Sequence, residues 1–193
     1  MVALEGDLLP PNHPVLITYC LLLTAYCFLL TADLPFPFMS RPDELFMEEA
    51  LREAQRALAL GEVPVGAIIV RDGHIVGRGC NRPVTEHDPT AHAEVQALRE
   101  AGHVIANYRL SDCDLYVTVE PCAMCAGAIT HARIHRLIYG AEDPKAGAVH
   151  SMLQVLNHPK LNHQVEVTSG VLAARCMDLV QSFFREKRQA QPG

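Results

Sequence analysis

His92, Glu94, Cys122 and Cys125 are the residues of this sequence whose types and spacing could do chemistry. One alanine separates the histidine from the glutamate, and Cys122, thirty residues after His92, belongs to Pro121-Cys122-Ala123-Met124-Cys125. One imidazole and two thiolates occupy three corners of a tetrahedron and leave the fourth open, which distinguishes a catalytic zinc site from a closed structural one. Cys122 and Cys125 stand one helical turn apart, so both sulfurs leave the same helix face. Pro121 suits a first helical turn, and thiolates at a helix start are favoured by its free amides and dipole. Glu94 is near enough to His92 to reach the open position, where a carboxylate takes a proton from water and delivers it to a substrate. Taken singly the strings are weak: a CxxC can be a redox pair, an HxE means little, and a structural zinc would want a fourth cysteine or histidine, for which no convincing spacing exists. In combination they point to one catalytic zinc per chain.

The elements around these strings are legible from periodicity. From Asp43, apolar residues Leu45, Phe46, Ala50, Leu51, Ala54, Ala57 and Leu58 recur at helical spacing, with Gly61 as the stop. VPVGAIIVR and HIVGRGCN are two strand-like runs joined by Asp72-Gly73, a hairpin signal. A polar loop leads into a helix over AHAEVQALREAGHVIA, then a strand (DLYVTVE), a helix (PCAMCAGAITHAR) and a strand (HRLIYG). A short helix is expected around Met152 to Leu156, followed by the strand VEVTSG and a long amphipathic helix over VLAARCMDLVQSFFREKRQ. The order α-β-β-α-β-α-β-α-β-α predicts a three-layer α/β/α sandwich around a mixed five-stranded sheet. Both chemical strings then fall at helix starts.

Composition bounds the partners. A chain of 193 residues is long enough for one compact domain with a real core. Its net charge of −6 leaves no global basic footprint, so any nucleic acid must be met by a local patch. Arginine far outnumbers lysine, which suits planar, bidentate phosphate contacts without demanding them. Seven cysteines is an odd count, and Cys20, Cys27, Cys80, Cys113 and Cys176 are scattered in apolar surroundings. That pattern reads as small buried hydrophobes in a reducing, cytoplasmic setting rather than as a disulfide framework. The run Val15–Ala32 has eighteen residues without a charge, the lower limit for a membrane span, but lacks a basic flank or a convincing cleavage site. The expected domains are therefore an apolar extension over 1–38, outside the fold, and a catalytic domain over 39–190. Met39 is the expected true start, with a membrane tether through Val15–Ala32 as the alternative.

NRPVTEHDPTAHAEVQAL, NYRLSDCDLYVTVEPCAMCAGAITHARI, YGAEDPKAGA and SFFREKR occur in that order. The stretch from about Phe46 to Arg188 resembles the bacterial tRNA-specific adenosine deaminase family, of the zinc-dependent cytidine/deoxycytidylate deaminase superfamily, whose signature H-x-E…P-C-x-x-C it contains. The resemblance implies a cytidine-deaminase-like fold and hydrolytic conversion of adenosine to inosine at the wobble position of a tRNA anticodon. It implies zinc ligation by His92, Cys122 and Cys125, with Glu94 as the proton shuttle. Asn81 matches the family's contact to the flipped base, its other reading being a turn residue before Arg82-Pro83. Backbone around Val65, Gly66, Ala67 and Ala93 is expected to line the adenine pocket. Asp143 and Lys145 match the loop that approaches the anticodon, and Phe183, Phe184, Arg185, Lys187 and Arg188 match a C-terminal RNA-facing stretch. Glu186 interrupts that basic run, and core packing is the other reading of the two phenylalanines. A tRNA anticodon stem-loop (an arginine tRNA among the candidates) and a second copy of the chain are the implied partners, with no obligatory membrane partner. The rival functions are a deaminase of free bases or nucleotides and a non-catalytic tRNA-binding subunit. The presence of Glu94 argues against the second.

Overall fold

The computed structural model describes residues 42–156 and 158–190. The chain divides between Met39 and Ser40. The Val15–Ala32 run, and with it the expected start at Met39, lies outside the described residues. No helix among the described residues is long and apolar enough to cross a membrane.

Helix α1 (Pro42–Ala59) opens with Asp43 and Glu44 and ends near Arg56, complementing its dipole at both ends. Its buried stripe is Met47, Ala50, Leu51, Ala54 and Ala57. Strands β1 (Gly66–Arg71) and β2 (His74–Cys80) form an antiparallel hairpin. Asp72 and Gly73 both have positive φ, as a two-residue hairpin loop of the primed kind requires. After α2 (Ala93–Ile105) come β3 (Cys113–Val119), α3 (Ala123–Ala132), β4 (Arg136–Ala141), β5 (Glu166–Ser169) and α4 (Ala173–Ala190). The sheet order is β2-β1-β3-β4-β5, antiparallel across β2, β1 and β3 and parallel from β3 to β5. The expected mixed five-stranded sheet is therefore present.

Alternation along the strands builds the two outer layers. Ala67, Ile69, Leu115, Val117, Leu137 and Tyr139 pack against α2 and α3 residues such as Ala93, Ala97, Ala126 and Ile129. Ile68, Val70, Tyr116 and Ile138 face the other way, against Met47, Ala50 and Leu51 of α1 and Cys176 of α4. Two glycines set how closely helices approach the sheet. A Cβ on Gly66 would fall 2.2 Å from backbone atoms of α1, and one on Gly79 would fall 2.0 Å from the Ala93 carbonyl at the start of α2.

The helix expected around Met152 to Leu156 is absent: residues 148–151 form a turn, and 152–156 are irregular. Five residues are too few to nucleate a stable helix alone. The preceding amides of Val149, His150 and Ser151 all donate to the Glu120 carboxylate, so the chain curls round that group instead of rising along a helix axis.

Candidate metal centre and substrate groove

Two helix starts carry the chemical residues. His92 and Cys122 are themselves the N-cap residues of α2 and α3, each in extended conformation (φ −76°, ψ 152° and φ −73°, ψ 174°). Neither caps its helix with its own side chain, so both side chains are available elsewhere. Cys125 follows in the first turn of α3. His92 Nδ1 lies 3.7 Å from Cys122 Sγ and 3.6 Å from Cys125 Sγ. The three ligand atoms lie within 4.8 Å of one another and could hold a metal ion. The five described cysteines are all free thiols, so the CxxC is not a disulfide.

The electrostatics suit a cation. The Cys122 thiol is pushed down to about 3 by its hydrogen bonds with Cys125 and His92. Cys125 moves upward, because it donates to Cys122 and is buried beside Glu94. The bond to Cys122 raises His92. Glu94, in the first turn of α2, is only 3% exposed. Burial lifts its carboxyl above the usual range, against the pull of its own amide and of His92. A carboxyl with a raised proton affinity is suited to accept a proton and return it.

Asn81 joins this centre through the backbone. Its Oδ1 accepts the Ala93 amide at 2.9 Å, capping α2 from outside because His92 does not. Accepting from an amide fixes Oδ1 and leaves Nδ2 as the donor end. The Asn81 amide donates in turn to the Val65 carbonyl at 3.1 Å. Val65, Asn81 and Ala93 are thus stitched together beside Glu94. Gly66 donates its amide to Thr118 Oγ1 at 3.2 Å, and its missing side chain is accounted for by α1 rather than by any ligand. The Ala67 side chain is wholly buried in the core.

Five of the remaining candidates, Asp143, Lys145, Phe184, Arg185 and Arg188, converge on one groove of 610 Å³. It is lined by Val65 just before β1, by Asp143, Pro144 and Lys145 after β4, and by Met177, Val180, Gln181, Phe184, Arg185 and Arg188 of α4. Those α4 positions recur at three and four residues and so form one face. Phe183 and Lys187 lie off that face: Phe183 is 8% exposed against 43% for Phe184, and Lys187 Nζ sits 5.5 Å from the Phe183 ring centroid. The two readings of the phenylalanines are divided between them, Phe183 being core and Phe184 groove. Asp143 Oδ1 accepts the amides of Lys145 and Ala146 at 2.9 and 3.2 Å, so half of its carboxylate is spent on its own turn.

Glu120 and Thr118 are polar residues that pattern reading passes over. Both are buried, at 3% and 1% exposure, Thr118 within β3 and Glu120 just beyond its end. Glu120 stands immediately before Pro121-Cys122, and that adjacency is the one signal available in the sequence.

Residues 42–188, which carry all these features, match the MafB19-like deaminase family, so the fold is that of a deaminase. A relative from Haemophilus influenzae named a tRNA-specific adenosine deaminase is 51% identical over 148 residues, 76% of this chain and 86% of that one. A solved structure from work on A-to-I editing by tRNA:A34 deaminases at the wobble position aligns with a TM-score of 0.67 at 46% identity, covering 69% of this chain and 97% of that one. A guanine deaminase from Bacillus subtilis aligns with a TM-score of 0.51 at 34% identity, over 76% and 93% of the two chains. The chain belongs to the tRNA-specific adenosine deaminase family.

Proposed function

We propose that this chain hydrolytically deaminates adenosine to inosine at the wobble position of a tRNA anticodon, with residues 39–190 as the catalytic domain. The observation that carries the reading is the meeting of His92, Cys122 and Cys125 at two helix starts with Glu94 buried alongside. The donor set fits zinc, one ion per chain. Bonds of about 2.3 Å to sulfur and 2.0–2.1 Å to nitrogen at tetrahedral angles put S and N about 3.6 Å apart, and the distances here are 3.6 and 3.7 Å. When bound, zinc would lower the pKa of water to about 7 and so supply a nucleophile at neutral pH.

The chain's own residues do the rest. Glu94 takes one proton from the attacking water and passes it to the purine ring nitrogen, then carries the second from the resulting C6 hydroxyl to the departing amino group as the C6 carbonyl forms. The C6–N bond breaks, ammonia leaves and inosine remains. The Asn81 side-chain amide, held by Ala93, presents its donor end to the base edge, with backbone of Val65, Gly66, Ala67 and Ala93 around it. Extruding the base is cheaper from a single-stranded loop than from a duplex, which favours an anticodon loop as substrate. Phe184 offers a face on which a neighbouring base can stack, and Arg185, Arg188 and Lys145 offer charge to phosphate.

A homodimer belongs to the same reading. Val95, Leu98, Ala128 and Ala132 of α2 and α3 line a groove of 790 Å³, beside Tyr108 at 70% exposure. A second copy is the occupant that the family likeness suggests, and light scattering of the purified protein tests it. The reading also carries a cytoplasmic location, where tRNA is found, and an arginine tRNA as the first substrate to try. Incubating the protein with an anticodon stem-loop bearing a wobble adenosine should yield inosine. Ammonia release from free guanine, adenine or cytidine, with none from the RNA, would overturn the assignment in favour of the rival deaminase class.

A further inference from the structure

The segment that carries Cys122 also carries the fastening of the loop that lines the groove, and Glu120 is that fastening. Its Oε1 accepts the amides of Val149, His150 and Ser151 at 3.0, 2.7 and 3.0 Å. Its Oε2 accepts the Asp143 amide at 3.1 Å and the Ser151 hydroxyl. Among the described residues no cation pairs with it, so four backbone dipoles and a hydroxyl satisfy a buried charge. The neighbouring residues repeat the attachment. The Glu120 amide donates to the Ala141 carbonyl, the Ala148 amide donates to the Pro121 carbonyl, and Cys122 bridges to Gly147. Gly147 must be glycine here: a Cβ would lie 2.3 Å from Glu120 Oε2 and 2.6 Å from the Asp143 carbonyl.

We propose that Glu120 is a positioning residue, holding the Asp143–Lys145 loop in register with the metal-holding residue Cys122 so that RNA recognition and the reacting centre are set by one segment. The inference rests on the reading of the groove as the RNA site. Every group facing the carboxylate is a donor, so both oxygens must accept. A glutamine of the same shape offers one acceptor and turns an NH2 against donating amides. That releases the loop while leaving α3 and its cysteines in place.

The test uses the full chain with zinc bound, the wobble-adenosine stem-loop as substrate, and E120Q, D143N and the double variant. E120Q should raise KM for the stem-loop about tenfold with kcat changed much less, because displacement acts on binding geometry, and zinc content should be unchanged. Since Glu120 works through Asp143, D143N should raise KM in the wild-type background and have no further effect in E120Q. Should E120Q fail to fold, S151A, which removes one of five bonds, gives the same cycle with D143N at a smaller scale. Additive effects, a D143N variant with unchanged KM, or an E120Q loss confined to kcat and zinc content would each overturn the proposal. A wild-type protein that makes no inosine from the stem-loop defeats the functional reading instead, so the two failures are distinguishable.

Discussion

At the metal centre, four side chains from two distant strings are fixed by backbone. His92 and Cys122 are cap residues, Cys125 and Glu94 sit in first turns, and α2 is pressed onto β2 at Gly79. In the groove between residues 142–145 and α4, the candidate groups are long, solvated side chains on a helix face and a turn. One region gathers its residues by burial and leaves them a single arrangement. The other gathers charge and an exposed ring, and leaves them the freedom that the proposed RNA contact would use. Substitutions should therefore act nearly all-or-none in the first region and by degrees in the second.

The largest effects belong to the centre. Glu94→Ala should keep the metal and lose turnover by about 10²–10⁴-fold, whereas Cys122→Ala should lose metal and soluble yield together. Metal analysis and single-turnover assays on the two variants separate these outcomes. A Glu94→Ala protein that still makes inosine would remove Glu94 from the mechanism and blur the contrast between the regions.

The groove should respond in proportion to charge and placement. Replacing Arg185 and Arg188 together by glutamine should raise KM for the stem-loop about tenfold and flatten its salt dependence by roughly 0.7 per lost phosphate contact. Activity at saturating RNA should hardly change. Lys187→Gln should do much less, because Lys187 lies over Phe183 and off the groove face. Equal effects of Lys187 and Arg188 on the salt slope would mean that the whole helix end, not one face, meets RNA.

A smaller effect is expected at Asp143, whose second oxygen is left to accept a ribose 2′-hydroxyl that DNA lacks. Asp143→Asn should narrow the RNA-to-DNA activity ratio by a few-fold. An unchanged ratio, measured on matched RNA and DNA stem-loops, would leave Asp143 a turn residue only.

The same contrast explains what the sequence disclosed. Chemical residues at a helix start have fixed spacing, so His92, Glu94, Cys122 and Cys125 stand out, and all five strands are legible as short strand-like runs, the first two joined by Asp72-Gly73. Groove residues depend on which way a helix faces, and two adjacent phenylalanines look alike in sequence although only Phe184 faces the groove. The missing helix near Met152 failed for a different reason. A five-residue apolar cluster cannot announce that its upstream amides are claimed by a carboxylate some thirty positions earlier. The family resemblance marks Asn81 for a base contact, and its capping of α2 follows only from His92 not capping that helix. Buried polar hubs such as Glu120 and Glu62 stay hidden because nothing local marks a glutamate as buried.

The smallest expected effect concerns support for the centre rather than the centre itself. Glu62 follows α1 and is 2% exposed. It accepts the Thr85 amide at 2.6 Å and the Thr85 hydroxyl at 2.8 Å, fastening the loop that runs from Asn81 to His92. Burial opposes its ionisation, but the Thr85 amide and hydroxyl and the Val84 amide outweigh it and hold the carboxyl below the usual range. A folded-state pKa lower than the unfolded value of about 4.3 stabilises the fold above that pH, and the contribution disappears as pH falls through the folded value. Glu62→Gln should therefore unfold a few degrees below the wild type at pH 7, matching about 1 kcal/mol as the difference between bonds to a charged and to a neutral acceptor. The two melting curves should converge as pH drops below about 4.3. Acid loss of the metal affects both proteins alike, so the difference between them reports Glu62 alone. A gap that stays constant down to pH 3 would show that Glu62 holds the loop by shape and not by charge, and the buried support would then differ less from the solvated groove than its hydrogen bonds imply.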